Sequence, residues 1–187
     1  MKVGTKSLLF GVHQFILHPL AVLVCWRRLY GRHRWWEVIC IVVHDWGYWG
    51  CNSMNGEDGA RHPEFGGQVA YQLVLWLGNN IIGAFMARDL VEGHSRTYAR
   101  LQDIPVGRMC AADKLASALW PWWVYLPLAR LSGELAEYRE EAALYHAHTG
   151  RGIPSEATDR EWYAWMCEHM QGAARGEDVS YSREVKR

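Results

Sequence analysis

The chain has 187 residues, half of them apolar, and its 20 Lys plus Arg balance its 20 Asp plus Glu to a formal net charge of zero. That length suits one domain with a substantial core and leaves little room for two. The apolar content argues against disorder over most of the chain. The balanced charge lacks the basic excess of a non-specific nucleic-acid binder, while leaving room for a nucleotide pocket lined by a few local cations.

The apolar stretch 8–26 is interrupted by His13, Gln14, His18 and Pro19, and no small-residue cleavage site follows it. It therefore reads as a buried amphipathic helix rather than a signal peptide or a membrane span. A first helix is expected over 7–30, kinked or split at Pro19. Gly31 and Arg32 mark a turn, and a second helix follows over 34–45. Its run 38–43 is apolar all round, so pattern alone also allows a buried strand. Residues 46–61 hold Gly47, Gly50, Asn52, Ser53, Asn55, Gly56 and Gly59 and read as a functional or mobile loop. His62-Pro63-Glu64 opens a third helix to Leu77, with Pro63 suited to its first turn.

A fourth helix is expected over 81–100 and a fifth over 106–119. Two more follow at 122–131 and 132–149, with Ser132 as N-cap and Glu134 in the first turn. Thr158 and Glu161 form a capping-box pattern that starts a last helix to Gln171. From Gly172 onward the chain is polar, and residues 173–187 are expected to be a flexible tail. No reliable strand signal appears, so the fold class is all-α.

The five cysteines are odd in number and contain no Cys-x-x-Cys pair. This argues against a disulfide framework or a Cys-based zinc site and fits a reducing cytoplasm. Eleven tryptophans are many for this length. They read either as core and oligomer interface, which makes a homo-oligomer the expectation, or as an aromatic wall that stacks on a ring. His33, His146, His148 and His169 lie in polar surroundings and are expected to be exposed.

Three polar insertions interrupt apolar segments. His44-Asp45 follows the run 38–43, Asp113 sits within Met109-Cys110-Ala111-Ala112-Asp113-Lys114-Leu115-Ala116, and His18 lies in the apolar first helix. A buried ionised carboxylate costs several kcal/mol unless it is paired or binds a cation. Taken singly, each residue also reads as a hydrogen-bonded core histidine or a surface ion pair. As a set they ask for a shared cation. His13 is the rival to His18 as the first member.

The order of these residues resembles the HD superfamily of metal-dependent phosphohydrolases. The resemblance rests on His18 with Leu20-Ala21-Val22, on Val42-Val43-His44-Asp45-Trp46-Gly47, and on Ala111 to Ala116 around Asp113, and it covers roughly residues 10–130. With Pro121 to Leu126 included, the pattern is similar to HD-domain proteins of phage genomes. The resemblance implies a metal site of His18, His44, Asp45 and Asp113. His62, in a His-Pro-x-x-Gly segment similar to one in the HD-GYP branch, and His94 occupy the places of the extra ligands of two-metal members. The GYP signature itself is absent, which argues against a cyclic-dinucleotide phosphodiesterase of that branch.

It further implies an HD-type helical domain over 1–131, with helices of 132–172 packing on it. One or two divalent ions (Mn, Fe, Co, Ni, Zn or Mg) would activate water. Asp45, His62, His94 and Lys114 are the catalytic candidates. Arg61, Arg96 and Lys114 are the candidates for holding phosphate oxygens, although each also reads as a surface ion pair. The expected substrate is a small phosphorylated molecule, a nucleotide by preference, with no stable nucleic-acid complex and no membrane. Two alternatives stand beside this: an HD-fold di-iron oxygenase cleaving a C–C or C–P bond with the same six ligands, and a non-catalytic HD domain that binds a nucleotide or a partner. All metal readings require Asp113 to lie close to the His44–Asp45 pair.

Overall fold

A computed structural model describes residues 1–176. The described residues form eleven α-helices and one 3-10 turn, with no strand among them. The helices are α1 (Val3–Phe10), α2 (Leu17–Tyr30), α3 (Trp35–Val43), α4 (Glu57–Ala60), α5 (His62–Gly78), α6 (Ile81–Glu92), α7 (Arg96–Gln102), α8 (Arg108–Ser117), α9 (Trp122–Ser132), α10 (Glu134–Thr149) and α11 (Asp159–Ala174). The all-α expectation holds, and the ambiguous run 38–43 is helical. No described helix is long and apolar enough to cross a membrane.

The main core gathers α2, α3, α5, α6 and α8. Val22, Trp26, Cys40, Ile41, Ala70, Ala87, Met109 and Ala112 are among its buried residues. Helix α8 packs chiefly along α2, and α5 with α6 forms a hairpin. Asn79, in the left-handed region, closes α5, and the Asn80 side chain caps α6 by accepting from Ile82 and Gly83. A second core joins α9, α10 and α11 around Leu126, Leu135, Trp162 and Met166. Helix α11 lies against both α8 and α9. The Thr158–Glu161 capping box starts α11 as the sequence suggests.

Four local expectations need correction. The first helix is split in two, as one of the two expectations had it, but not at Pro19. It breaks over residues 11–16, and Pro19 sits in the first turn of α2, where its missing N–H costs nothing. The cause is distant: the backbone N–H of Val12 donates to Glu134 at 3.1 Å instead of continuing the helix. The fourth helix is likewise two, α6 and α7, parted at Gly93-His94-Ser95, where the Ser95 hydroxyl caps α7 by accepting from Tyr98. Ser132 closes α9 and Gly133 caps α10; Glu134 lies in the first turn of α10 as expected, and it is fully buried there. Finally, α11 extends to Ala174 with Gly172 and Ala173 buried, so the polar tail cannot begin at 173; positions 177–187 of that expectation lie outside the described residues.

The 46–61 stretch is packed, not a loose loop. It holds the 3-10 turn Trp46–Tyr48 and the short α4. Glu137 of α10 anchors it by accepting from Ser53 Oγ at 2.8 Å and the Met54 backbone at 2.7 Å.

Candidate metal centre

Six polar side chains converge in the first core: His18, His44, Asp45, His62, His94 and Asp113 are all buried. Most come from helix ends, where the chain can turn a side chain inward. His18 is in the first turn of α2, His44 and Asp45 follow α3, His62 opens α5, and His94 occupies the break between α6 and α7. Asp113 alone lies mid-helix, in α8, among small residues.

The six fall into two halves that share Asp45. In the first, His18 Nε2 lies 3.2 Å from His44 Nε2, 3.2 Å from Asp45 Oδ2 and 3.0 Å from Asp113 Oδ1. His44 Nε2 lies 3.2 Å from Asp45 Oδ2 and 3.6 Å from Asp113 Oδ1. In the second half, His62 Nε2 and His94 Nε2 face each other at 3.0 Å and lie 3.4 and 3.6 Å from Asp45 Oδ1. Asp45 thus turns one oxygen toward each half. Asp113 stands beside the His44–Asp45 pair, as every metal reading requires.

These separations fit a cation. Metal bonds of roughly 2.0–2.2 Å place neighbouring ligand atoms roughly 2.9–3.6 Å apart at octahedral to tetrahedral angles. The hydrogen bonding argues the same way. The Nδ1 atoms of His44, His62 and His94 face the backbone carbonyls of Ile41, Gly59 and Val91 at 2.7, 2.7 and 2.5 Å. A carbonyl only accepts, so each Nδ1 carries a hydrogen and each Nε2 is the nitrogen turned to the cluster. Burial drives the His62 imidazole down to about 4 and lowers His94 as well, so both are neutral near pH 7. Two neutral rings then point lone pairs at each other across 3.0 Å, an arrangement that a positive centre relieves. Asp45 Oδ2 is buried with no hydrogen bond of its own. His18, His44 and Asp45, and again Asp45, His62 and His94, form groups that can hold a metal ion.

Electrostatics differ between the halves. Burial opposes the charge on His44, but Asp45 outweighs it and raises the ring to about 10. His18 is raised too, with burial again overcome, here chiefly by hydrogen bonding to Asp113. Asp45 and Asp113 are both held well below the usual carboxylate range despite burial, by the charge of His44 and of Lys114 respectively. Lys114 Nζ donates to Asp113 Oδ2 at 3.0 Å, leaving Oδ1 to the histidines.

Two glycines set the spacing of the halves. A side-chain carbon on Gly47 would sit 2.0 Å from the His62 carbonyl oxygen, and one on Gly66 would sit 2.5 Å from the His44 carbonyl oxygen. Each glycine follows one histidine of the pair by three or four residues and rests on the backbone of the other.

Beside the cluster lies a cavity of about 220 Å³. None of the six cluster residues lines it; their neighbours do: Lys114 next to Asp113, Ser95 and Arg96 next to His94, and His13 and Tyr48, whose rings meet those of His18 and His62. The Tyr48 ring stacks on His62 at 3.8 Å, and the His13 ring lies 5.1 Å from that of His18. Arg100 adds a cation, and Tyr125, Tyr138, Trp162 and Trp165 supply an aromatic wall. Of the residues expected to hold phosphate, Lys114 and Arg96 line this cavity; Arg96 also donates to the Ala173 carbonyl. Arg61 does not. Its exposed guanidinium pairs with Glu64 at 2.8 Å over a separate shallow hollow, because it precedes α5 on the outer side.

Sequence reasoning missed Tyr48, Arg100, the role of Glu134 and the two tyrosines of the wall, although the tryptophan excess that suggested a wall includes Trp162 and Trp165. His169, expected to be exposed, is half-buried in the cavity lining, and burial with the nearby Arg96 and Lys114 charges lowers it to about 4. Helical spacing from Trp162, Trp165 and Met166 was the available signal for it. His146 and His33 are also half-buried, while His148 is exposed. His13, the rival to His18, is in the lining and not in the cluster.

Compared with protein-family models, curated proteins and solved structures, the chain gives no match.

Proposed function

We propose that the chain is a metal-dependent phosphohydrolase of the HD type that acts on a small phosphorylated molecule, a nucleotide by preference. The observation that carries this reading is a bridging buried aspartate between two histidine-bearing halves, set beside a cavity with cations and an aromatic wall. His18, His44, Asp45 and Asp113 hold one divalent ion, and Asp45, His62 and His94 a second. Such ions supply Lewis-acid polarisation of a phosphoryl oxygen and a more acidic water.

The chain's own residues do the rest. Lys114, Arg96 and Arg100 hold phosphate oxygens at the cavity. Trp162, Trp165, Tyr125 and Tyr138 accept a flat ring against their faces. Tyr48 fixes the plane of His62 by stacking on it. A cavity of about 220 Å³ suits one small molecule and not a polymer.

The deciding experiment measures release of phosphate or of nucleotide hydrolysis products from nucleoside mono- and triphosphates and cyclic dinucleotides with Mn, Fe, Co, Ni, Zn or Mg supplied. Metal-dependent release that is indifferent to oxygen supports the proposal. Its rival is a di-iron oxygenase, favoured by the four imidazoles to two carboxylates in the cluster. Two bound irons, oxygen-dependent turnover and no phosphate release from the panel would favour that rival.

A further inference from the structure

The buried carboxylate of Glu134 has no part in the metal cluster, yet it is among the most heavily bonded side chains in the molecule. It is fully buried. It accepts from Ser7 Oγ at 2.7 Å, Val12 N at 3.1 Å, Ser132 Oγ at 2.5 Å and Tyr138 Oη at 3.3 Å. Its shortest ring contact is His13 Nδ1, at 2.6 Å. Burial pushes this carboxyl up, but the bonds from His13, Ser132 and Ser7 outweigh it and hold it below the usual range. An ionised carboxylate so placed fixes the hydrogen of His13 on Nδ1 and orients the ring.

His13 is the only member of this network other than Tyr138 that lines the cavity. With Nδ1 committed to Glu134, Nε2 is the nitrogen a bound molecule can reach. The ring stands beside His18 and 5.5 Å from Tyr48, at the edge of the metal cluster. The dyad joins the break after α1 to the start of α10, 121 residues apart, and the same contact interrupts the first helix. That a helix is broken to place one histidine at a cavity wall is an arrangement that packing alone does not ask for.

We infer that His13, oriented by Glu134, is the catalytic proton donor to the leaving group in the phosphohydrolase reaction proposed above, on which this inference rests. The oxygen of water bonds to phosphorus as the bond from phosphorus to the leaving oxygen breaks. The electron pair of the broken bond goes to the leaving oxygen, which takes the proton from His13 Nε2. The proton given up by the attacking water restores Nε2. One water is consumed, and one alcohol and one phosphate are formed. Glu134 is the positioning residue.

The test compares two probes of similar shape, p-nitrophenyl phosphate with a good leaving group and phenyl phosphate with a poor one, on wild type, His13→Gln and Glu134→Gln. Metal content and thermal midpoint are measured alongside. A general acid contributes about 100-fold or more where the leaving group needs protonation. His13→Gln should therefore lose about 100-fold in kcat on phenyl phosphate and less than about tenfold on p-nitrophenyl phosphate, with metal content unchanged. Glu134→Gln should show the same asymmetry in weaker form, and it keeps the test informative if one variant folds poorly. Equal losses on both probes, or loss of metal from His13→Gln, would overturn the role of His13 while leaving the phosphohydrolase reading intact. A wild type that hydrolyses neither probe nor the nucleotide panel overturns both.

Discussion

The two halves of the cluster use the same residue types to opposite electrostatic effect. His18 and His44 share two carboxylates, which outweigh burial and raise both rings, His44 to about 10. His62 and His94 share only Asp45, and burial leaves them neutral with lone pairs opposed. The first half balances its carboxylates against imidazole charge, at His44 above all. The second is a set waiting for a cation. The number of carboxylates per pair of imidazoles decides which state a buried histidine adopts.

The strongest break of this comparison is Asp45→Ala, which removes the oxygen facing each half at once. Metal content measured by mass spectrometry should fall to background, with affinity down at least about 100-fold, and any hydrolytic activity should go with it. Ligand binding retained with no activity in either wild type or the variant would instead favour a non-catalytic binding domain.

A milder break separates the halves. His94→Ala should leave one ion per chain, held by His18, His44, Asp45 and Asp113, whereas Asp113→Ala should weaken the first ion and spare the second. Metal stoichiometry after dialysis reads this directly. Identical losses from both variants would show that the halves are one site.

Proton release sharpens the contrast further. A cation in the first half should displace the proton of His44, raised to about 10, while one in the second half, where both rings are lowered, should displace none near pH 7. Calorimetric titration in buffers of different ionisation enthalpy should therefore show release for wild type, and the same release for His94→Ala. Release that vanishes in His94→Ala contradicts the assignment.

The smallest effect concerns the metal-free protein. His62 sits at about 4 in the fold against an ordinary 6.5, so between those values the unfolded chain binds a proton that the folded chain refuses. Stability should then fall as pH drops from 6.5 toward 4, by up to roughly 3 kcal/mol from this residue. His44, raised to about 10, acts in reverse: its contribution is fully present below 6.5 and is lost as pH rises toward 10. Denaturant midpoints of chelator-treated wild type and His62→Gln should differ in the acid limb, where the variant is flatter. Equal slopes would mean that His62 is not held neutral.

The all-α class and the convergence of His18, His44, Asp45, His62, His94 and Asp113 were legible in the sequence. For His18, His44, Asp45 and Asp113 the signal is local, a charge or imidazole in an apolar segment whose cost points to a partner, whereas His62 and His94 entered only through the HD resemblance. The break at 11–16 was not legible, because Glu134, far along the chain, takes the Val12 amide. The start of a helix is where an acidic residue ordinarily meets water, so nothing nearby marked Glu134 as buried. Arg61 misled for the converse reason. Its neighbour His62 turns inward, but its own side chain meets Glu64 one helical turn on. The aromatic wall was visible only as an excess of tryptophan, since which of these rings meet depends on how α11 docks on α8.

The reciprocal seating of Gly47 on His62 and of Gly66 on His44 works as a gauge for the centre. Side-chain identity limits which ions the cluster could take, but these two bare backbone contacts fix how far apart its two histidine-bearing halves stand. A single methyl at either place would wedge the two polypeptide segments apart and leave every ligating atom present. The chemistry would then fail by tenths of an ångström of width, with nothing missing from its inventory.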